Sequence, residues 1–178
     1  IVQAAYGFQG QKCSACSRLI VDETVHDELL AKVVALTEQL NVGQPTEGDT
    51  NVSAVINKRA FDTTLQYINK GVEEGGEIVT GGTGDDSQGY FILPTIIDNV
   101  QPGDTIEQEE IFAPVLAVSK ARDYDHALEI ANGTEFGLTG AVYSGSEERL
   151  ERARREFHVG NLYLNRKCTG ALVGVHPF

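Results

Sequence analysis

Residues 115–165, VLAVSKARDYDHALEIANGTEFGLTGAVYSGSEERLERARREFHVGNLYLN, decide the fold class. The run Val115-Leu116-Ala117-Val118 is short, apolar and rich in β-branched side chains, which suits a buried strand better than a helix. A helix is predicted from near Asp123 to Gly133. Leu138 to Tyr143 then reads as a second strand. Ser146 caps a charged helix running through Phe157, and Gly160 to Asn165 reads as a third strand. Strands that alternate with helices lie parallel, because a parallel neighbour is reached only through a crossover. The chain is therefore expected to be an α/β protein, a three-layer α/β/α sandwich with helices on both faces of a mostly parallel sheet. Strand order does not follow from the spacing.

Toward the N-terminus the same logic holds. Phe61, Leu65, Ile68 and Val72 recur at helical spacing, and Gly75-Gly76 ends that helix with residues that tolerate a left-handed backbone. Leu29, Val33, Leu36 and Leu40 line one face of an earlier helix, predicted from about Val25 to Leu40 with Asp22 and Thr24 as caps. Asn41 to Asn57, with Gly43, Pro45 and Gly48, is a connecting loop. Ile78-Val79, Phe91-Ile92-Leu93 and Ile96-Ile97 are read as buried strands. Gly81 to Gly89, GGTGDDSQG, supplies Gly82 and Gly84 of a GxGxxG pattern. Ser87 stands in the third position, however, and Asp85-Asp86 would repel a phosphate, so the stretch is expected to be a solvent-facing turn.

Composition narrows the classes of function. The chain has 178 residues, 41% of them hydrophobic, and a formal net charge of −12. Such a chain is long enough to bury a substantial core, which excludes a disordered or collagen-like protein. The negative charge argues against nucleic acid, whose affinity for proteins rests on cationic side chains displacing counterions. No run reaches the ~18 apolar residues of a membrane span, and the start lacks the pattern of a secretory signal, so a soluble protein is expected. Three cysteines are too few and odd in number for a disulfide framework, which favours a reducing compartment, cytoplasm or mitochondrial matrix. The absence of any methionine suggests that the sequence begins partway into a longer protein.

Cys13-Ser14-Ala15-Cys16 is a CxxC pair with three candidate uses: a redox dithiol, half of a zinc site, or a nucleophile beside an incidental neighbour. Zinc would need partners from Cys168, His26, His126, His158 or His176, and none of these shows a second short ligand spacing, so no metal is expected. The bland alternative is a small buried cysteine. Against it, Gly7, Gly10, Gln11, Lys12 and Ser14 surround Cys13 with polar or side-chain-free positions, and Lys12 is placed to favour a thiolate. Cys16, nearer Leu19-Ile20-Val21, reads as structural, as does Cys168.

Gly10-Gln11-Lys12-Cys13 resembles the GQxC nucleophile signature of the NAD(P)-dependent aldehyde dehydrogenases. Glu109-Glu110-Ile111-Phe112-Ala113-Pro114-Val115 is similar to the family's EEIFGPV segment, with Ala113 where glycine is usual. Further matches at Ile130-Ala131-Asn132, Phe136-Gly137-Leu138, Gly160 to Asn165 and His176-Pro177-Phe178 extend the resemblance over nearly the whole chain. Residues Gln11 to Cys16, Asn165 to Ala171 and Val173-Gly174 most resemble the branch of the family that oxidises L-glutamate γ-semialdehyde to glutamate in proline breakdown.

The resemblance implies a mechanism. An aldehyde yields hydride only once it is tetrahedral, and a thiolate adds readily to carbonyls. Cys13 would form a hemithioacetal whose oxyanion is held by main-chain N–H groups near Cys13. Hydride transfer to NAD, with NADP left open, would leave a thioester for water to hydrolyse. The resemblance assigns Glu110 to the nicotinamide-ribose hydroxyls and Phe112 to a position beside the cofactor. It also assigns Ser14, Thr169, Gly170 and Ala171 to an anchor for the substrate carboxylate, with Phe178 as an apolar wall. Taken alone, Glu110 is a solvated carboxylate of the Glu107 to Glu110 acidic run, Phe112 a core aromatic, Gly170 a turn residue and Ser14 a local cap. The implied partners are a small-molecule aldehyde and further copies of the complete, homo-oligomeric enzyme. Residues 1–178 would be the thiol-bearing catalytic domain truncated at both ends, with the cofactor-binding domain outside this sequence. A non-catalytic module keeping the same fold, an aldehyde dehydrogenase of another substrate class and a cysteine hydrolase stand as alternatives.

Overall fold

The computed structural model describes residues 1–172, 174 and 175. In chain order the elements are α1 (Val2–Tyr6), β1 (Arg18–Asp22), α2 (His26–Thr37), α3 (Lys58–Glu73), β2 (Glu77–Thr80), β3 (Gly84–Asp85), β4 (Phe91–Ile92) and β5 (Thr95–Asp98). They continue with α4 (Thr105–Gln108), β6 (Val115–Ala121), α5 (Tyr124–Asn132), β7 (Thr139–Val142), α6 (Glu147–Glu156) and β8 (Asn161–Leu164).

A four-stranded sheet runs in the order β1-β6-β5-β2. β1 and β5 both pair parallel to β6, and only the edge strand β2 is antiparallel. Its central strands are apolar on both sides, and successive side chains enter opposite cores. Ile97, Val115 and Ala117 pack with Phe61 and Ile68 of α3 and Ile106 of α4. Ile96, Leu116 and Val118 pack with Ala5 and Tyr6 of α1 and Val33 of α2. The two-residue period thus sends alternate residues to helices on each face, giving the expected three layers. Leu116 is wholly buried; truncating such a side chain to alanine costs about 2–5 kcal/mol. β7 and β8 form a separate parallel pair and β3 and β4 a short antiparallel ribbon.

Helix ends follow local chemistry. Asn57 caps α3 by accepting from Ala60 N–H, Asp123 caps α5 through His126 N–H, and Ser146 caps α6 through Arg149 N–H, as its sequence position predicts. Gly75, at φ +105°, terminates α3 with Gly76.

Four expectations need correction. α2 ends at Thr37, short of Leu40, and its N-cap Val25 makes no side-chain cap; Asp22 accepts instead from the N–H and hydroxyl of Thr24, closing the turn before the helix. Its buried stripe runs through His26, Val33 and Thr37, so Leu36 lies on the flank, 54% exposed. Ile78 is similarly exposed, because β2 is a sheet edge. In the acidic run Glu107 is buried, not solvated. It pairs with Arg18 and accepts from Gly103 N–H, while Arg18 also donates to the last carbonyls of α5, Ile130 and Ala131.

Candidate active site

The sheet positions the site through its parallel register. Arg18 of β1 lies opposite Ala117 of β6, so the segments preceding these two strands, residues 10–17 and 109–114, arrive at the same end of the sheet. These are the two segments that carry the sequence motifs. Open α/β sheets usually place ligands at the carboxyl ends of their strands; here the amino ends of β1 and β6 carry the candidate nucleophile.

Gly10 makes this meeting possible. It has φ +68°, and a Cβ built on it would lie 2.3 Å from the Ala113 carbonyl oxygen and 3.1 Å from that of Ala5. No side chain fits between the two motifs at that point, and the conformation itself favours glycine. Phe8 and Gln9, each at φ +59°, turn the chain sharply just before it. Gln11 accepts from Ile56 N–H at 2.9 Å through its side-chain oxygen, holding the strand of loop that follows.

Beyond Gln11 the chain makes a tight turn. Ala15 N–H donates to Lys12 O at 2.9 Å, which places Cys13 and Ser14 at the two corners, and Cys16 N–H returns to Ala4 O at 3.1 Å. A side chain at such a corner points away from the turn, and Cys13 is exposed. Among the described residues neither the Cys13 nor the Ser14 N–H donates a hydrogen bond. Two main-chain donors thus stand unused, among the described residues, on the turn that carries the accessible thiol. The Lys12 ammonium folds over Gly7, where an added Cβ would lie 3.3 Å from it.

The second segment is fixed at three points. Ala113 is buried and its carbonyl accepts from Val115 N–H at 2.7 Å. Tyr67 of α3 donates its hydroxyl to Glu109 at 2.5 Å, which pushes the Tyr67 phenol above its ordinary value. Glu107 is turned inward onto Arg18. Between these points Glu110 and Phe112 are left facing outward. Phe112 adopts φ +58°, a left-handed conformation uncommon outside glycine and often found at functional sites, and is 45% exposed. Cys13, Glu110 and Phe112 line one cleft of about 980 Å³, whose walls also include β1 and β7. Glu110 has no hydrogen-bond or ion-pair partner among the described residues. A carboxylate and a half-exposed ring are thus both presented to the cleft.

The loop after β8 comes from the other wall. Asn165, at φ +53°, accepts from Ser144 N–H at 2.9 Å and donates back to Ser144 O at 3.1 Å. The Arg166 guanidinium lies 4.6 Å from the Tyr163 ring centroid and donates to Thr169 O at 3.1 Å. Thr169 is buried and Gly170, at φ +96°, is exposed. Among the described residues the N–H groups of Thr169, Gly170 and Ala171 make no hydrogen bond, so three successive donors are available to an anion. Cys168 ties this loop to the nucleophile turn, its thiol donating to Ser14 O at 3.5 Å. Ser14, Thr169, Gly170 and Ala171 are not themselves part of the cleft wall that holds Cys13. Phe178 lies outside the described residues. No group of His, Cys, Asp or Glu among the described residues is arranged to hold a metal ion.

Sequence reasoning missed the contacts of Tyr67 and Arg166. Tyr67 acts on Glu109, in a segment distant in sequence, and leaves no local pattern, whereas Arg166 holds Tyr163 and Thr169, each three residues away. Cys168 is buried, as expected of a structural cysteine, yet the neighbouring Cys16 side chain holds its thiol down to about 7.

Comparison with known proteins agrees with these features. The model of the aldehyde dehydrogenase family matches residues 1–178. A 1-pyrroline-5-carboxylate dehydrogenase of Geobacillus kaustophilus is 58% identical over all 178 residues, which span 34% of that relative. The same enzyme from Thermus, solved with bound NAD, superposes with a TM-score of 0.94 at 51% identity, covering 99% of this chain and 34% of that one. Proline utilization A from Bdellovibrio bacteriovorus gives a TM-score of 0.93 at 39% identity, covering 99% of this chain and 18% of its own. The chain therefore spans about a third of the length of the curated relatives it matches.

Proposed function

The chain belongs to the aldehyde dehydrogenase family, and from that premise we propose that residues 1–178 are the thiol-bearing catalytic part of a longer enzyme that oxidises L-glutamate γ-semialdehyde to glutamate. The observation that carries the reading is the exposed Cys13 on one cleft with Glu110 and Phe112. The names of the similar curated proteins support the choice of substrate.

Cys13 attacks the aldehyde carbon as a thiolate, forming a carbon–sulfur bond and an oxyanion. The Cys13 and Ser14 N–H groups, both unused among the described residues, stabilise that oxyanion by roughly 3–4 kcal/mol per aligned donor. The substrate's α-carboxylate is held by the N–H groups of Thr169, Gly170 and Ala171, which make no hydrogen bond among the described residues, with Ser14 adding its hydroxyl. Glu110 would hold the ribose hydroxyls of a dinucleotide, and Phe112 would offer its ring an apolar face. That dinucleotide, NAD or NADP, supplies the hydride acceptor. Cys13 is left carrying a thioester, which water cleaves with a general base supplied from beyond these residues. We further propose that the complete enzyme is a homo-oligomer working in the cytoplasm, a reading supported by the family resemblance, the bacterial relatives and three unpaired cysteines.

The test uses the complete enzyme and NAD. Cys13→Ser is expected to lower turnover of glutamate semialdehyde by at least about a thousandfold, since a serine hydroxyl is a far weaker nucleophile near neutral pH. The native enzyme is expected to favour the semialdehyde over uncharged aliphatic aldehydes of equal length. Residues 1–178 alone are expected to form no NADH. A Cys13→Ser enzyme of normal velocity would overturn the mechanism, and equal use of charged and uncharged aldehydes would overturn the anchor.

A further inference from the structure

The chemistry at Cys13 leaves two thiols without a task. Cys16 lies at the end of the nucleophile turn and Cys168 on the loop after β8, yet both line the cleft that holds Cys13. The Cys168 thiol donates to Ser14 O and the Cys16 thiol to Arg18 O, each at 3.5 Å. Their sulfurs thus sit on backbone carbonyls of the same short segment, with Cys168 Sγ on the carbonyl of a residue two positions before Cys16. Cys168 lies in a loop outside helices and strands that is held by side chains, so that this side of the pair adjusts to the 3.5–4.5 Å Cβ separation of a disulfide at little cost.

We propose that Cys16 and Cys168 form a reversible oxidation site that takes hydroperoxides and closes into a disulfide joining the nucleophile turn to the loop after β8. The two thiols differ in a way that suits this chemistry. The neighbouring Cys16 side chain holds Cys168 down to about 7, while the Cys168 side chain and burial push Cys16 well up. Cys168 is thus the thiolate that attacks, and Cys16 keeps its proton.

The steps balance. The Cys168 thiolate attacks the terminal peroxide oxygen, a sulfur–oxygen bond forms and the oxygen–oxygen bond breaks. The departing alkoxide takes a proton and leaves as an alcohol, or as water from hydrogen peroxide. Cys16 gives up its proton and attacks the resulting sulfenic acid. A sulfur–sulfur bond forms, the sulfur–oxygen bond breaks, and hydroxide leaves with that proton as water. Two thiols and one hydroperoxide become one disulfide, one alcohol and one water. The thiols lose the two electrons that the peroxide gains.

The cross-link itself does not depend on the proposed substrate. Its consequence does rest on that reading, because the loop it captures carries Thr169 and Gly170. The experiment treats the complete enzyme with hydrogen peroxide at increasing pH, then maps peptides under non-reducing conditions. The expected product is a cross-linked pair of peptides containing Cys16 and Cys168, reversed by dithiothreitol and forming faster as pH rises through about 7. Cys16→Ser is expected to abolish the cross-link and leave a sulfenic acid at Cys168 that dimedone traps. A disulfide between Cys13 and either neighbour in place of this pair overturns the proposal, as does oxidation of Cys13 with Cys16 and Cys168 still reduced. Either result leaves the aldehyde chemistry to be judged by the Cys13→Ser enzyme.

Discussion

The turn that carries Cys13 and the loop that carries Thr169 and Gly170 are held by opposite means. The turn is wedged against backbone: Gly10 leaves no room for a β-carbon beside Ala113, and Cys16 N–H is bonded to Ala4 O of α1. The loop hangs from side chains: Asn165 on Ser144, Arg166 on Tyr163 and Thr169, and Cys168 on Ser14. Contacts between backbones are stiff because neither partner has a rotamer to change. Contacts through an arginine, an asparagine or a thiol yield more easily. The proposed division of labour matches this difference, with rate residing in the wedged turn and choice of substrate in the suspended loop.

Gly10→Ala is the change expected to do most damage. The new β-carbon must displace Ala113, on which the whole second segment turns, and the residue must also keep a left-handed backbone. A cost on the order of 4 kcal/mol is expected in thermal or urea denaturation of the complete enzyme, from the clash and the backbone strain together. Displacement of Cys13 by even about 1 Å should lower turnover roughly a hundredfold in whatever protein still folds. Unchanged turnover in Gly10→Ala would show that the turn is not wedged.

Arg166→Gln tests the other side of the comparison and should do less. It removes the donor to Thr169 O and the cation over Tyr163 while leaving the N–H groups of Thr169, Gly170 and Ala171 in place. KM for glutamate semialdehyde is expected to rise about tenfold, which corresponds to ~1.4 kcal/mol of lost positioning. The maximal rate should stay within about twofold, and KM for an uncharged aldehyde should not move. A fall in maximal rate with KM unchanged would place Arg166 with the turn, and the comparison would fail.

Much of this contrast was legible in the sequence, and the reason lies in which interactions are local. Gly10, Cys13, Glu110 and Phe112 belong to short motifs, because a wedged turn and a left-handed Phe112 demand particular residues at fixed spacing. The layered fold followed likewise from strands and helices that alternate every ten to fifteen residues or so. What escaped was set by tertiary register. That Leu36 sits on a flank, that Glu107 turns inward to Arg18 and that Cys168 reaches Ser14 depend on partners far away in the chain. A buried cysteine paired with another cysteine carries the same local pattern as one packed in hydrocarbon.

Asn57→Ala sets the scale for a change that touches neither region. Asn57 accepts from Ala60 N–H at 2.9 Å and caps α3, whose Tyr67 lies ten residues farther along and holds Glu109. Loss of the cap frees one N–H at an exposed helix end and costs about 1 kcal/mol of stability. Fraying of that kind is confined to the first turn, while Phe61 and Ile68 keep the remainder of α3 packed on the sheet. Tyr67 should therefore keep its bond to Glu109, so KM and maximal rate should match those of the native enzyme as the melting temperature falls by a few degrees. A matching loss of cofactor affinity would show that the strain at Phe112 is borne through α3, and the turn would then be less self-sufficient than its backbone contacts imply.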